Sequence, residues 1–508
     1  MGEARNRGPA WRVGVLGASL LAAAAGAQAQ LRIATWNVTD YMGTDGREPA
    51  YQLAAFGSYQ GRRMAPDVLL AQEFHNAAAH GLFLNLLNTA AGSAGDWGTT
   101  PFVDGPDSDQ VLFYRTSRVQ VVNAVIASAG GSAPNHPRHV MRYDLRPIGY
   151  TGAGATIACY NSHMKSGNTA ADRDRRLVEA QAIRLNTASL PAGWGFLIAA
   201  DLNIYTSSET AYVHLLSTVP NPARFFDPIR TPGAWNDAVG FRYVHTQDPV
   251  LQMDDRFDQI LLSASLLDGD GFDYVGSLTQ PYSTTTWNDP NHSYRAWGND
   301  GSSFNGPLTL AANAMVGSAI ATAIRAAAGN QGHIPVFLDM RVPAEVGSPE
   351  FVDFGRVPQN STATAPVEVV NAGDVALWSV AGVAGLNYEL DATAGFGAPA
   401  GMFADAAGGG GNVHTLTMDT AQPGPKFGTL TITSDAPDEP ARTVTLIGEV
   451  VAGCYPDCTG DAQLSVADFG CFQTKYVLGD LYADCNASGT LTVADFGCFQ
   501  GRYVLGCP

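Results

Sequence analysis

Basic residues are scarce in this chain of 508 residues, with 29 Lys and Arg against 47 Asp and Glu and a net charge of −18. Residues 347–508 hold 5 basic and 18 acidic side chains (net −13), and residues 30–346 hold 21 and 28 (net −7). An acidic protein gains nothing from non-specific attraction to nucleic-acid phosphates. A polyanionic substrate would therefore need bound cations at its site. The acidic tail favours solubility and calcium binding.

Long apolar segments are also lacking. The apolar run at residues 13–25 is shorter than the ~20 residues that span a bilayer, and no later run is long enough. Arg5, Arg7 and Arg12 precede it, and residues 27–29 (Ala-Gln-Ala) fit a signal-peptidase site. We predict that residues 1–29 are a signal peptide, and that the protein is secreted or held at the cell surface without a transmembrane segment.

Cysteine is nearly absent before the C-terminus. Six of the seven cysteines lie between Cys454 and Cys507, and Cys159 stands alone within an apolar run. In an exported chain such clustering indicates a disulfide framework, for which six cysteines allow 15 pairings. A small buried thiol is the favoured interpretation of Cys159.

The remaining composition predicts several folded domains. The length exceeds one ordinary core, and 45% apolar residues describe a globular protein. Over residues 30–346 short apolar runs alternate with helical patterns such as residues 172–185, which predicts an α/β layered domain. Residues 347–451 hold several short β-rich runs separated by Gly and Pro, which predicts an all-β sandwich. This segment resembles the Ig-like modules appended to bacterial surface proteins.

The last segment, residues 452–508, contains an internal repeat. Residues 458–479 and 485–506 align at a period of 27 and share the runs Val-Ala-Asp-Phe-Gly-Cys-Phe-Gln and Tyr-Val-Leu-Gly. Each copy fits a twelve-residue calcium loop with oxygen ligands at positions 1, 3, 5, 7 and 12. The predicted Ca²⁺ ligands are Asp457, Thr459, Asp461, Gln463 and Asp468 in the first loop, and Asp484, Asn486, Ser488, Thr490 and Asp495 in the second.

These paired loops resemble a small, disulfide-rich dockerin-like module, for which a cohesin-like or cell-surface partner is expected. Gly489 occupies the turn position of the second loop, whereas the first loop has Ala462 there. The alternative is a disulfide-stapled tail whose acidic residues are merely solvated.

Polar residues with catalytic chemistry lie at the ends of a series of apolar runs in residues 30–346. In chain order they are Asn37, Glu73, His163, Asp201, Asn203, Asp258 and His333. A carboxylate at a strand end is a hard ligand suited to Mg²⁺ or Mn²⁺, and an imidazole can transfer a proton or stabilise a phosphorane. A carboxylate that orients an imidazole makes it a better base. Each motif alone is weak, since a strand-end Asn is often a turn former and Glu73 could be a surface residue.

The ordered series resembles the endonuclease/exonuclease/phosphatase superfamily. The resemblance implies a four-layer α/β sandwich with the site at the sheet's edge. It implies that Glu73 is the principal metal ligand, supported by Asn37. It further implies a general base at His333 oriented by Asp258, a phosphate-stabilising or acid role for His163, and positioning of water and phosphate by Asp201 and Asn203.

Two positions depart from the family pattern. Ala200 replaces the Gly that usually precedes Asp-x-Asn, and Gly332 stands where the final motif usually has Asp. The missing carboxylate predicts a weaker metal site unless another group, such as Asp300, compensates. A separate basic stretch at residues 138–146 could contact phosphates or form a solvated hairpin.

These features predict a secreted, metal-dependent phosphodiesterase, foremost an extracellular nuclease acting on DNA or RNA. A phosphatase or phospholipid phosphodiesterase of the same chemistry is the first alternative. A surface-binding protein with an impaired catalytic domain is the second, motivated by Gly332 and the appended modules.

Overall fold

The computed structural model describes residues 30–506 apart from 149, 151–152, 269–271, 343, 373–384, 407–409, 437–439, 452 and 462. The predicted signal peptide, Ala462 and Cys507 lie outside the described residues. Within the described part of the chain, every helix is too short or too polar to cross a bilayer.

The first unit contains thirteen described strands and five α-helices. Its strands are β1 (Gln30–Tyr41), β2 (Val68–Phe74), β3 (Trp97–Thr99), β4 (Asp109–Arg115), β5 (Val119–Ser128), β6 (Val140–Pro147), β7 (Ile157–Asn161), β8 (Gly195–Asp201), β9 (Phe225–Phe226), β10 (Asp258–Ser263), β11 (Asp273–Tyr274), β12 (Arg295–Ala296) and β13 (Val336–Arg341). Its helices are α1 (Glu48–Phe56), α2 (Ala77–Thr89), α3 (Ala170–Thr187), α4 (Thr210–Leu216) and α5 (Gly317–Ala327). The helical pattern predicted at residues 172–185 lies within α3.

Two mixed sheets form the centre of this unit. One has the order β11-β13-β1-β2-β4-β3, with β12 also paired to β13, and the other has the order β5-β6-β7-β8-β10-β9. The pairs β1–β2 and β7–β8 are parallel, whereas β13 and β10 run antiparallel to β1 and β8. The carboxyl ends of four strands therefore lie beside the starts of β10 and β13.

Three clusters of buried apolar side chains hold the layers together. Ile33, Leu70, Cys159 and Leu197 belong to one buried cluster that draws on both sheets. A second cluster joins the outer face of the β1 sheet to α1, α2 and α5, and a third joins the outer face of the β8 sheet to α3 and α4. Strands that are buried on both faces read as continuous apolar runs, which is why the sequence predicted them. The predicted mixed α/β class with more than one sheet is confirmed.

Polar contacts between the sheets sit directly beneath the predicted site. The Gln72 side-chain amide donates to Thr35 Oγ1 (2.9 Å) and to Asn161 Oδ1 (2.8 Å). Asn161 Nδ2 in turn donates to the carbonyls of Ala71 (3.0 Å) and Val111 (2.9 Å). Buried amides that donate hydrogen bonds across the two sheets fix the relative position of the strands that carry them.

The second unit is a pair of β-sheets with strands β14 (Val346–Gly347), β15 (Phe351–Pro358), β16 (Ala363–Asn371), β17 (Leu386–Ala392), β18 (Phe396–Gly397), β19 (Phe403–Asp405), β20 (Asn412–Met418), β21 (Gly424–Ser434) and β22 (Ala441–Val451). The sheet orders are β14-β16-β20-β18 and β15-β22-β21-β17-β19. Buried and exposed residues alternate along β16 and β20, as in a sheet with one solvated face. Both sheets share one apolar core, which includes Ala344 and Val346 from the end of the predicted first domain. The Ig-like character and the domain boundaries stay predictions.

The third unit contains α6 (Val466–Val477) and α7 (Val493–Leu505). Each helix begins with a capping box, formed by Ser465 with Asp468 and by Thr492 with Asp495. One disulfide closes within each repeat, Cys458–Cys471 and Cys485–Cys498. Its core is small and centres on Phe472 and Phe499, whose rings stack 4.0 Å apart.

Candidate active site

The seven predicted residues meet at one edge of the two sheets. Asn37 and Glu73 lie near the carboxyl ends of β1 and β2, His163 follows β7 and Asp201 ends β8. Asp258 begins β10 directly opposite Asp201. His333 lies just before β13, whose first residue pairs with Thr35 of β1. Strand topology therefore brings together residues that are up to 296 positions apart in the sequence.

Asn37 joins the two carboxylates at the centre of the site. Its buried Nδ2 donates to Glu73 Oε1 (2.8 Å) and to Asp201 Oδ2 (3.0 Å), while its Oδ1 accepts from the Thr39 amide (2.9 Å). The Asp40 amide donates to Glu73 Oε2 (2.8 Å). The amide nitrogen of Asn37 faces the two carboxylates, so Asn37 holds the Glu73 side chain in position through its nitrogen, while its oxygen accepts from Thr39.

His333 and Asp258 form a buried dyad. His333 Nδ1 lies 2.7 Å from Asp258 Oδ2, and His333 Nε2 lies 3.6 Å from Asp201 Oδ2. Burial lowers the pKa of His333, but the charges of Asp258 and Asp201 outweigh it and raise the pKa to about 10. The imidazole is thus protonated at neutral pH unless the nearby negative charge is offset.

His163 occupies the opposite side of Asp201. Its Nε2 lies 3.3 Å from Asp201 Oδ2 and its Nδ1 lies 3.6 Å from Glu73 Oε1. Burial, reinforced by Arg138, holds the pKa of His163 well below its usual range, so this imidazole is neutral. Its Nδ1 is buried without a hydrogen bond to any described residue. An unpaired polar atom in such a position is available to a ligand.

Asp201 and Asn203 share the turn after β8. The Asn203 amide donates to Asp201 Oδ1 (3.1 Å), and Asn203 Nδ2 donates to the Met164 carbonyl (3.2 Å). Burial raises the pKa of Asp201 to about 6, against the opposing charge of His333. Both predicted positioning residues are therefore fixed by the backbone of the loop that carries His163.

Backbone strain is concentrated at this edge. Thr39, Asp40, Glu73 and Asn203 all have left-handed φ values, between 47° and 68°. Residues other than glycine adopt this region at a cost, and such residues cluster at functional sites. These residues lie in the last part of β1 and β2 and in the turn after β8, where the polar side chains of the site converge.

The donor set fits a divalent cation. Glu73, His163 and Asp201 each bring one ligand atom within 4.8 Å of the others, and Asp201, Asp258 and His333 form a second such group. The two carboxylates are oxygen ligands of the kind that suits Mg²⁺ or Mn²⁺. Glu73 and Asp201 are the residues that would hold the ion, and a glycine at 332 leaves this pair in place.

Gly332 has no space for a side chain. A Cβ at this position would overlap the carbonyl oxygen of Ala328 and the Oγ1 of Thr39. The suggested substitute Asp300 is engaged elsewhere, because it accepts hydrogen bonds from the backbone amides of Ser302 (3.1 Å) and Ala314 (2.7 Å). Compensation by Asp300 is therefore not supported.

The basic stretch at residues 138–146 directs its charges inward. Arg138 contacts the His163 carbonyl (3.4 Å) and Asp107 (3.2 Å). Arg142 pairs with Asp144 at 2.9 Å. The residues of β6 are mostly buried, so neither free phosphate contacts nor a solvated hairpin describes them.

Two further pairs at the site were not predicted from the sequence. Asp40 Oδ1 lies 2.7 Å from His75 Nε2, next to Glu73. Ser162, adjacent to His163, donates a hydrogen bond to the buried carboxylate of Glu179 on α3. The sequence predicted a helix at residues 172–185, but nothing indicated that Glu179 faces inward.

In each of the two predicted calcium loops, backbone amides donate hydrogen bonds to the acidic residues at positions 1 and 12 of the loop. In the first loop, Asp457 Oδ1 accepts from the Gly460 amide (2.8 Å), and Asp468 Oδ1 accepts from the Thr459 amide (3.0 Å). Asp457, Asp461 and Asp468 bring oxygen atoms within 4.8 Å of one another. The Gln463 amide donates to Asp461 (2.9 Å).

The second loop repeats this layout. Asp484 accepts from the amides of Ser488 (2.9 Å) and Gly489 (2.6 Å), and Asp495 accepts from the Asn486 amide (3.3 Å). Ser488 Oγ donates to the Thr490 carbonyl (3.0 Å).

No protein-family model and no curated protein matches this sequence. Solved structures do match it. TDP2 of D. rerio complexed with a single-strand DNA product is 16% identical, over 62% of this chain and 99% of that chain, with a TM-score of 0.38. An endonuclease/exonuclease/phosphatase from Beutenbergia cavernae is 14% identical, over 82% and 100%, with a TM-score of 0.34. A mannosyl-6-phosphatase from Bacteroides thetaiotaomicron is 14% identical, over 61% and 99%, with a TM-score of 0.34.

Proposed function

We propose that this protein is a secreted, divalent-cation-dependent phosphodiesterase, and that its substrate is DNA or RNA. The observation that carries the proposal is the single buried cluster in which the Asp258–His333 dyad faces Asp201, with Glu73 and His163 on the far side. Phosphodiester hydrolysis needs a proton acceptor for water, positive charge on the phosphate and a proton donor for the leaving oxygen. In this cluster His333 is the proton acceptor, Glu73 and Asp201 would hold the cation that supplies the positive charge, and the leaving oxygen takes its proton from solvent.

Each side chain has a distinct part in the proposed reaction. Asp258 fixes the orientation of His333, so that Nε2 points into the site and exchanges a proton with the attacking water. His333 acts as a base only when positive charge offsets Asp201, since the two carboxylates otherwise keep it protonated. A bound Mg²⁺ or Mn²⁺ would supply that charge and polarise the phosphate. Neutral His163 donates a hydrogen bond to a phosphate oxygen, and Asn203 orients the phosphate.

The decisive test is a substrate panel on the full-length protein. Plasmid DNA, RNA, a phosphomonoester and sphingomyelin are incubated with Mg²⁺, Mn²⁺ or EDTA. We expect cation-dependent cleavage of nucleic acid, lost in Glu73→Gln and His333→Ala and retained in the control His214→Ala, which alters a helix residue of the outer α4 layer. Turnover of only the phosphomonoester or sphingomyelin would favour the phosphatase or phospholipase alternative. No turnover of any substrate would favour a surface-binding protein.

Export is the second part of the proposal. The signal-like residues 1–29 and the described disulfides Cys458–Cys471 and Cys485–Cys498 agree with an oxidising destination. Expression in a secreting bacterial host, followed by N-terminal sequencing of the protein in the medium, should give a mature chain that begins at residue 30. Retention of the whole protein in the cytoplasm would contradict the proposal.

We further propose that the tail binds Ca²⁺ and docks a cohesin-like or cell-surface partner. The repeated loop layout supports the first claim. Exposed Val and Leu side chains at equivalent places in both repeats support the second, namely Val466, Val477 and Leu478 with Val493, Val504 and Leu505. Calorimetric titration of the full chain should detect calcium binding that disappears in Asp457→Ala/Asp484→Ala and persists in Asp480→Ala. Absence of calcium binding by the native chain would contradict the loop interpretation.

A further inference from the structure

A polar cleft of about 340 Å³ adjoins the candidate active site, with Asn168, Arg173, Tyr205, Thr206, Ser208, Glu209 and Thr210 along its walls. One wall is the chain that continues from His163 into α3, and the other continues from Asn203 into α4. Lys165 and Tyr205 are each two residues beyond a candidate catalytic residue. The volume falls within the ~300–1,000 Å³ range of small-molecule sites. We call this space the flanking cleft.

A buried ion pair holds the two walls at a fixed distance. The Arg176 guanidinium bonds both carboxylate oxygens of Glu209 (2.6 and 3.0 Å) and donates to the carbonyls of Lys165 (2.6 Å) and Gly167 (2.7 Å). Both charged side chains of the pair are almost fully buried. Glu209 is therefore neutralised, and the flanking cleft is not acidic although a carboxylate lines it.

Arg173 supplies an available cation. Its Nη1 donates to the carbonyl and side-chain oxygens of Asn168 (2.6 and 2.9 Å). Its Nε and Nη2 make no hydrogen bond to any residue that the structure describes, so they can receive an anion. A guanidinium with two free donors matches a phosphate, and Thr206 and Ser208 place hydroxyls nearby.

Tyr205 adds an anchored aromatic surface. Its half-buried ring meets the ring of Phe257 edge to face at 4.9 Å, and Phe257 directly precedes Asp258 of the dyad. The Tyr205 ring therefore keeps a fixed position relative to the Asp258–His333 dyad. Partly exposed, immobilised aromatic rings are the surfaces on which proteins stack single-stranded bases.

We infer that the flanking cleft binds the nucleotide next to the scissile phosphate, with its phosphate on Arg173 and its base against Tyr205. The inference rests on the proposed function and narrows the substrate to a polynucleotide with an unstacked base beside the cleaved bond. A phosphomonoester or a lipid headgroup has no group that fills both parts of the cleft.

Two measurements on the full-length protein test the inference. The first is kcat/KM on a single-stranded oligonucleotide and on bis(p-nitrophenyl) phosphate, a small diester that has neither a second phosphate nor a base. Arg173→Ala and Tyr205→Ala should each lower kcat/KM for the oligonucleotide about tenfold, mainly through KM, and leave the small diester within about twofold. Tyr205→Phe should keep wild-type values. Arg325→Ala removes a charge from α5 and serves as the control.

The second measurement is the fluorescence anisotropy of the labelled oligonucleotide in EDTA, which needs no turnover. Weaker binding by Arg173→Ala and Tyr205→Ala, with unchanged binding by Tyr205→Phe and Arg325→Ala, supports the inference even if the wild type cleaves nothing and the proposed function fails. Wild-type affinity in both alanine variants overturns the inference. Equal losses on the oligonucleotide and the small diester also overturn it, because they would show an effect on the catalytic residues themselves.

Discussion

At the scale of single residues, Gly332, which directly precedes His333, lies where the structure leaves no space for a side chain. The carbonyl of Ala328 and the hydroxyl of Thr39 occupy the space that a Cβ would need. An acidic residue at 332 would therefore require the neighbouring backbone to move.

Gly332→Ala should destabilise the protein by about 2 kcal/mol, because overfilling a packed site forces neighbouring backbone to move. Gly332→Asp should be worse, since it also buries a charge. Thermal unfolding monitored by circular dichroism measures both. Gly81→Ala is the matched control, because a Cβ at Gly81 in α2 meets nothing within 4 Å. A fully stable Gly332→Asp variant with raised activity would show that the site tolerates the acid after all.

Asp258→Asn should lower kcat by about 10³–10⁴, because an amide in place of the carboxylate no longer selects the imidazole tautomer that His333 needs. KM for the same substrate should change little. Initial-rate kinetics at saturating Mg²⁺ measure both constants. Asp300→Asn changes a carboxylate of a distant loop and should leave kcat unaltered. Near-normal kcat in Asp258→Asn would exclude the dyad from the reaction.

Glu179 should make stability depend on pH. Burial raises its pKa from 4.5 to about 7, so the folded state keeps a proton that the unfolded chain has already released. The free energy of unfolding should fall as pH rises from about 4.5 to 7, by roughly 2–3 kcal/mol, and stay low above pH 7. Glu179→Gln removes this titration while keeping an acceptor for Ser162.

Urea unfolding of the native and Glu179→Gln proteins at pH 5 and pH 8 measures the difference. The Gln variant should gain stability relative to the native protein at pH 8 and show little gain at pH 5. A constant difference at both pH values would mean that Glu179 does not titrate in this range.

The sequence predicted the seven groups of the site because each one lies at an end of an apolar run, which for Asp258 and His333 is its beginning. It could not predict the inward contacts of Glu179 and Arg138 or the Asp40–His75 pair. Their contacts depend on how loops and helices from different layers meet, and a polar residue in such a segment looks solvated in the sequence. The sequence also could not predict the orientation of the Asn37 amide, which follows from the hydrogen bond that its Oδ1 accepts from the Thr39 amide.

At the scale of elements, the buried Arg176–Glu209 pair ties α3 to the loop before α4. Arg176→Met should destabilise the protein by about 3–5 kcal/mol, because Glu209 is left as an uncompensated buried charge. The double variant Arg176→Met/Glu209→Leu should recover part of this loss. Chemical denaturation measures all three proteins. The exposed pair Arg356–Glu449 provides the control, and Arg356→Ala should cost less than about 1 kcal/mol. Equal costs for the two pairs would contradict a fixing role for Arg176.

Element prediction succeeded where periodicity was strong and failed where strands were short. The amphipathic stretch in α3 and the buried runs of β1, β2 and β8 follow from their patterns. The two-residue strands β9, β11 and β12 pair only because a longer neighbour presents a free edge. No local pattern of two residues can indicate such pairing.

At the scale of the whole molecule, the cysteines distinguish a tail that depends on disulfides from a first unit whose one cysteine is a free thiol. Cys159 is free and buried, and burial raises the pKa of its thiol well above its usual range. The tail has a core of only a few side chains and depends on its cross-links. The two described disulfides each join cysteines that are 13 residues apart. Closing a loop of this length contributes about 3 kcal/mol to the free energy of unfolding.

Dithiothreitol should therefore make residues 453–506 sensitive to thermolysin while leaving residues 30–342 resistant and turnover unchanged. Mass spectrometry of the digest identifies the cleavage sites. Iodoacetamide labelling should leave Cys159 unmodified until the protein is denatured. A reduced tail that resists thermolysin as well as the oxidised tail does would show that its core suffices.

The two described disulfides of the tail, Cys458–Cys471 and Cys485–Cys498, each close within one repeat over a separation of 13 residues. Each copy therefore carries its own cross-link together with its own loop and helix. Duplication or loss of one copy within the gene would add or remove both partners of such a disulfide together, so neither change leaves one of these cysteines unpaired.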